Sequence, residues 1–333
     1  MTRGSLQEAG TPEPLQLYPW QLQAWNQLCQ QLESQRLPHA LLLKGVPDGG
    51  LESFALLFAR YLLCSAPVDH RPCGTCRDCH WMSVATHAGF VHVFPETSEK
   101  GVVSRVIKID QIRAMIEMVT QTVMHGGRKV VVITPADAMN ANAANALLKN
   151  LEEPAAHTFF ILASTSPARL MATIRSRCQV IDIPLPSLAE ADRWLSTHVT
   201  DQPQRAQLLA LAGNNPLQVE CWLRDGVIES LLKMENELHD LSRGQCSALQ
   251  VASQWGKGDV SRRVQWWWQW LALQLKRQVQ SVDAAKLPAS ELQLHRFMQK
   301  LLLAKQKLES SANPNEQLLL ESLLIDWQQL ASV

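Results

Sequence analysis

At 333 residues, with 46% hydrophobic and 19% charged, the chain reads as an ordered globular protein with room for roughly two or three domains. Lys+Arg and Asp+Glu are each 31, so no overall basic footprint exists, which argues against tight, sequence-independent nucleic-acid binding by this chain alone but leaves room for a local patch. No apolar run approaches a membrane-spanning length and the N-terminus has no signal-peptide core, so the eight cysteines point to a reducing cytoplasm, where clustered thiols more often hold metal than pair.

Residues 1–17 read as a flexible leader. Between Pro19 and Ser34, apolar residues at Leu22, Trp25, Leu28, Cys29 and Leu32 mark a helical stripe. A strand over residues 39–43 follows, then a glycine-rich turn and a helix over 51–63. Asp110 can cap a helix running to about residue 124. The run KVVVI (129–133) is apolar without alternation, as expected of a strand covered on both faces. Asn140 can cap a helix that continues through NALLKNLEE and stops at Pro154. HTFFILAS follows as another buried strand, and the alternation of strand and helix predicts a mostly parallel sheet with helices on both faces.

After about Pro186 the signal is helical. Ser187 with Glu190 forms a capping box. A helix around residues 205–212 stops at Gly213, another opens near Pro216, and long amphipathic helices rich in Leu and Gln run from about Val227 onward. In VQWWWQWLALQLK, Trp266, Trp267, Trp268 and Trp270 project around most of a helix, which predicts burial on several sides. Core packing, a subunit contact and base stacking are the alternatives there, and the last lacks interleaved basic residues.

The turn KGVPDGGLES (44–53) has the outline of a phosphate-binding loop, G-x-x-x-x-G-K-[ST]. Gly45 and Gly50 keep the spacing, but Leu51 and Glu52 stand where the lysine and the hydroxyl residue belong. In an ATPase that lysine neutralises phosphate charge and the hydroxyl holds Mg²⁺. Leu51 can do neither, and Glu52 repels phosphate. The strand KVVVI should also end in acidic residues, and it ends in Thr134 and Pro135. A pair of glycines alone is an ordinary turn; what distinguishes this one is its place at the first strand-to-helix turn, with a second altered element downstream.

Cys64 is followed by CGTCRDC, which supplies Cys73, Cys76 and Cys79. C-x-x-C turns present two sulfurs to one ion, and four thiolates make a closed, structural zinc site with no position open for catalysis. In the alternative, Cys64 belongs to the helix core and His70 or His80 completes the set. In SPARLMATIRSRCQV (166–180), Ser166 and Pro167 suit the cap and first position of a short helix, leaving Arg175 and Arg177 at its exit. An arginine fork can reach a phosphate held by a neighbouring chain; residue type alone favours a solvated or salt-bridged surface arginine.

In order, the HALLLKG loop, the four-cysteine insertion, KVVVI, NALLKNLEEP (145–154) and SRC (176–178) resemble the bacterial clamp-loader subunits, a branch of the AAA+ ATPases. The resemblance covers nearly everything from Tyr18 onward. It implies an α/β plus all-α fold: a RecA-like AAA+ domain with a parallel sheet over 18–184, carrying a zinc module at 64–79. A small helical lid over 185–226 and a helical collar over 227–333 follow. Active members carry an intact loop, an acidic pair after the strand, and a lid arginine in G-S-x-R-D-A. Here GNNPLQ (213–218) puts Pro216 at that arginine's place.

The pattern is therefore most like the member that does not hydrolyse ATP, and no bound ATP is expected. In this family the SRC arginine, here Arg177, projects into the neighbouring ATPase's nucleotide site as an arginine finger, with Arg175 a supporting charge. LEEP reads first as a helix end at the sheet's edge and second as a coupling element. The implied role is a rigid stator, accessory to a DNA-directed DNA polymerase, in a hetero-pentameric ring with ATPase subunits and a delta subunit. Through that assembly it meets the sliding clamp and primed DNA in the cytoplasm, and no membrane. The rival readings are an active clamp-loader ATPase with an eccentric loop and a zinc-containing nucleic-acid-binding regulator. For a small-molecule enzyme no Ser/His/Asp, Cys/His or paired-carboxylate set stands out.

Overall fold

Apolar runs without polar alternates give strands that must be covered on both faces, and such runs build the sheet. The computed structural model describes residues 15–97, 104, 106–120, 127–279, 289–309 and 314–330, and the chain divides into two compact units, Met1–Leu185 and Pro186–Val333. In the first, β1 (Ala40–Lys44), β2 (Phe90–Val93), β3 (Lys129–Ile133), β4 (Thr158–Ser164) and β5 (Gln179–Asp182) pair in parallel in the order β2-β3-β4-β1-β5. Leu42 sits opposite Leu162 on one side and Val180 on the other.

The helices of this unit are α1 (Leu22–Glu33), α2 (Leu51–Leu63), α3 (Arg77–Ser83), α4 (Ile109–Thr120), α5 (Ala141–Glu152) and α6 (Ala172–Arg175). Period-two alternation along each strand sorts their side chains between two cores. Leu41, Leu43, Val130, Val132 and Ile161 share one with Trp25 and Leu28 of α1 and Phe54 and Phe58 of α2. Leu42, Val131, Ile133, Phe160 and Leu162 share the other with Ile112 and Met115 of α4, Leu147 of α5 and Ile174 of α6.

Most of the expected elements are present, and their ends follow from local chemistry. Asn140 caps α5, its side chain accepting from the Ala143 N–H at 2.8 Å. Asp110 caps nothing: it lies inside the first turn of α4, where Gln111 Oε1 accepts from the Lys108 N–H at 3.0 Å instead. The expected extension of that helix to residue 124 falls partly on 121–126, outside the described residues. Leu22, assigned to the buried stripe, is 40% exposed, because a 3₁₀ turn over Pro19–Gln21 rotates Trp20 and Gln21 inward in its place. Ser166 precedes a 3₁₀ turn over Pro167–Arg169 but makes no side-chain cap bond. Of the expected leader, residues 1–14 lie outside the described residues, and Leu17 is buried in the core with Trp25 and Phe54.

The second unit, over its described residues, is helical: α7 (Leu188–Leu195), α8 (Gln202–Leu211), α9 (Pro216–Arg224), α10 (Ile228–Ser242), α11 (Ala248–Trp255), α12 (Val260–Val279), α13 (Glu291–Glu309) and α14 (Glu316–Leu330). The Ser187–Glu190 capping box opens α7, and Gly213, at φ +62°, follows the end of α8. A hydrophobic cluster runs from Ala191 to Trp327. The tryptophan run resolves into core and surface. Trp267 is fully buried, edge-on to Trp255 and Trp327 at centroid distances of 5.5 and 5.8 Å, while Trp268 is 37% exposed. Trp270 Nε1 donates to Glu235 Oε1 at 3.0 Å, so this buried indole keeps its hydrogen bond. Among the described residues no helix is long and apolar enough to cross a membrane.

Candidate functional site

The cysteine cluster forms where α2 ends. Cys64 is the first residue after α2, Cys76 caps α3, and Cys79 lies in the first turn of α3. Gly74 takes the left-handed φ of +73° that the turn between Cys73 and Cys76 requires. The sulfurs of Cys64, Cys73, Cys76 and Cys79 all lie within 4.8 Å of one another, with Cys64–Cys73 at 3.6 Å and both Cys64–Cys76 and Cys73–Cys79 at 3.9 Å. A tetrahedron of thiolates at a metal–sulfur distance of ~2.3 Å has edges of about 3.8 Å, so the arrangement fits one ion.

The backbone supports thiolates there. The Cys73, Cys76 and Cys79 N–H groups donate to Cys64, Cys73 and Cys76 Sγ at 3.3, 3.3 and 3.4 Å. Burial pushes the Cys76 thiol up, but hydrogen bonds from Ser65 and from the Cys79 N–H outweigh it and bring it down to about 5. His70 and His80, the alternative ligands, stand outside the set: the His70 ring faces Glu33 at 3.3 Å and His80 is exposed. Trp25 anchors the module to α1, donating from Nε1 to His70 O at 2.9 Å, with the Arg71 guanidinium 5.6 Å above its ring.

The glycine turn leaves β1 at the C-terminal end of the parallel strands and leads directly into α2. Gly50 has φ +75° and caps α2. Two of the loop's N–H groups are used within the chain, that of Gly45 donating to Ser164 O at 3.3 Å and that of Gly49 to Val46 O at 3.2 Å. Leu51 is buried, and its Cδ1 lies 3.2 Å from where a Cβ on Gly45 would stand, so an apolar side chain packs against the loop at the lysine's position. Glu52 is exposed, with Oε1 3.9 Å from His92 Nε2. At the end of β3, Thr134 is buried, and the nearest acid beyond Pro135, Asp137, accepts from Ser164 Oγ at 2.6 Å. Pro216, in the other unit, is the buried first residue of α9.

Arg177 lies at the opposite end of the strands. It follows α6 by two residues and precedes β5, whose first residue, Gln179, pairs with Leu41 near the start of β1, while Lys44 at the end of β1 pairs with Asp182. Those three steps put the loop and Arg177 at least about 10 Å apart along the strand direction. The Arg177 side chain is 34% exposed, and its guanidinium is held on two sides. Nε donates to Glu152 Oε1 at 2.7 Å, Nη2 donates to the same oxygen, and Nη1 donates to Thr173 O at 2.9 Å. Arg177 is thus a salt-bridged arginine, as residue type alone suggested, and its partner is the last residue of α5, the first glutamate of LEEP. That helix ends at the rim where the strands begin, with Leu151 O 2.8 Å from His39 Nε2. Arg175 is exposed at the end of α6. Neither Glu152 nor Asp137 stood out as a site residue in the sequence: their partners lie 25 and 27 residues away, and no local spacing signals contacts made by the sheet order.

Residues 20–187 match the family model described as DNA polymerase III, delta subunit. A DNA polymerase III subunit delta' from Pseudomonas aeruginosa is 35% identical over 329 residues, covering 94% of this chain and 98% of the relative. Its Escherichia coli counterpart is 39% identical over 194 residues, 58% of this chain and 56% of the relative. In fold, the chain is similar to a DNA polymerase III gamma subunit-related protein from Thermotoga maritima, with a TM-score of 0.51 at 17% identity over 92% of this chain and 99% of that one.

Proposed function

Because the chain belongs to the DNA polymerase III subunit delta' family, we propose that it is the clamp-loader subunit that turns over no ATP itself and lends Arg177 in trans to a neighbouring ATPase subunit. The observation that carries this is the separation of Arg177 from the chain's own loop, at opposite ends of the parallel strands. An arginine there has no use for a nucleotide seated at Gly45–Glu52. That placement supports a role at a site presented from outside.

The residue chemistry of the loop agrees. Leu51 offers no charge to phosphate, Glu52 opposes it, and Thr134 and Pro135 supply no carboxylate for Mg²⁺. The first unit is a RecA-like AAA+ domain, retained as a rigid body that docks beside an ATP-binding subunit. In the helical unit we assign 185–226 as the lid and 227–333 as the collar that joins the ring of ATPase subunits and a delta subunit. The assembly would open the sliding clamp for primed DNA in the cytoplasm.

For the cysteine cluster we propose structural Zn²⁺, held by Cys64, Cys73, Cys76 and Cys79. When bound, zinc would supply folding energy and no reaction chemistry, since four thiolates leave no open position.

Reconstitution with the ATPase subunits tests the proposal. Arg177→Ala should abolish selectively the clamp- and DNA-stimulated ATP hydrolysis while the complex still assembles. Unchanged hydrolysis would remove Arg177 from the mechanism.

A further inference from the structure

The contact between Arg177 and Glu152 carries more than a surface ion pair would. Exposed pairs contribute little to stability, and both side chains here are partly open to solvent, 34% and 49%. The geometry is nonetheless specific. Glu152 Oε1 takes both Nε and Nη2, the lateral edge of the fork, and the Thr173 carbonyl takes Nη1 from the opposite side. Nη2 carries a second hydrogen that these contacts leave for another acceptor. An arginine otherwise free to sample many rotamers is held in one, by a carboxylate at the end of α5 and a carbonyl in α6.

We propose that Glu152 is a positioning residue: it pre-orients Arg177 for a phosphate presented by the neighbouring subunit. This rests on the trans role of Arg177 and gives the first glutamate of LEEP a defined task. A finger that must be immobilised when the transition state forms loses rotamer freedom at that moment; one already held does not. The carboxylate acts through Arg177 and touches no nucleotide itself. Its oxygen sets the orientation of the fork by accepting on the Nε–Nη2 edge, and its charge strengthens that hold.

The test is ATP hydrolysis by the assembled complex, with wild type, Glu152→Ala, Glu152→Gln, Arg177→Ala and the double variant of this subunit. Glu152→Ala should lower by about three- to tenfold the part of kcat that Arg177→Ala removes, the scale of freeing one long side chain, with KM for ATP unchanged. Glu152→Gln keeps the oxygen and should restore most of that rate. The double variant should be no slower than Arg177→Ala alone, since residue 152 acts only through residue 177. A normal rate with Glu152→Ala, alongside loss with Arg177→Ala, overturns the positioning role and leaves the finger standing. A faster rate would show that Glu152 restrains Arg177, and also overturns it. No effect of Arg177→Ala removes both roles together.

Discussion

Ser164 Oγ donates a 2.6 Å hydrogen bond to Asp137 Oδ1 and accepts one of 3.1 Å from the Ser166 N–H. This fully buried serine ends β4, and its partner lies in the turn after β3, two residues past Pro135. The first acid after β3 is thus tied into the scaffold. Ser164→Ala should cost about 1.5–3 kcal/mol, the scale of losing a hydrogen bond to a charged group. Asp137→Asn, which keeps an acceptor, should cost less than half of that. Urea unfolding of both variants checks it, and an unchanged midpoint for Ser164→Ala would mean that the link holds nothing.

His92 supplies a pH dependence. It is buried in β2 between Phe90 and Phe94, and burial lowers its pKa from 6.5 to about 4. The unfolded chain therefore binds a proton that the folded chain refuses between those values. Stability is fully present above pH 6.5 and falls as the pH drops toward 4, by up to about 3 kcal/mol. His92→Phe should flatten that part of the profile. Parallel unfolding curves of wild type and variant from pH 7 to pH 5 compare the slopes directly, and identical slopes would contradict the assignment.

The cysteine cluster should hold one zinc ion per chain, measurable by elemental analysis after release with a mercurial. Cys64→Ser should lose the metal as fully as Cys76→Ser. His70→Ala and His80→Ala should keep it, because neither ring reaches the sulfur cluster. Chelation should speed amide exchange first at Cys73, Cys76 and Cys79, whose N–H groups donate to the sulfurs.

The tryptophan run divides into two predictions. Trp267→Ala opens a cavity among Trp255, Phe297 and Trp327 and should cost about 3–5 kcal/mol. Trp268→Ala, at an exposed position, should change the stability of the isolated chain by no more than about 0.5 kcal/mol. Thermal unfolding of the two variants separates core from surface, and similar losses would refute the division.

The fold was legible wherever local chemistry and burial agree. β1, α2, β3, α5 and β4 lie within a residue or so of their expected limits because unbroken apolar runs, an Asn cap and a Pro stop mark them. β2 and β5 were not identified, for a physical reason: they are the edge strands. β5 has only Ile181 buried, and in β2 the imidazole of His92 interrupts the apolar run. The cysteine ligands could be read from their spacing. The holder of Arg177 could not, because Glu152 meets it only after the parallel sheet order brings the end of α5 beside α6.

The most direct measurement is the affinity of the assembled complex for MgADP with aluminium fluoride, which mimics the phosphoryl group in flight, at the site adjoining this subunit. A finger that acts on the transition state should be felt by that mimic and hardly by ground-state ATP. Arg177→Ala should weaken binding of the mimic by about 100-fold or more with ATP affinity unchanged. Equal affinity of the wild-type and variant complexes for the mimic would contradict the trans role of Arg177.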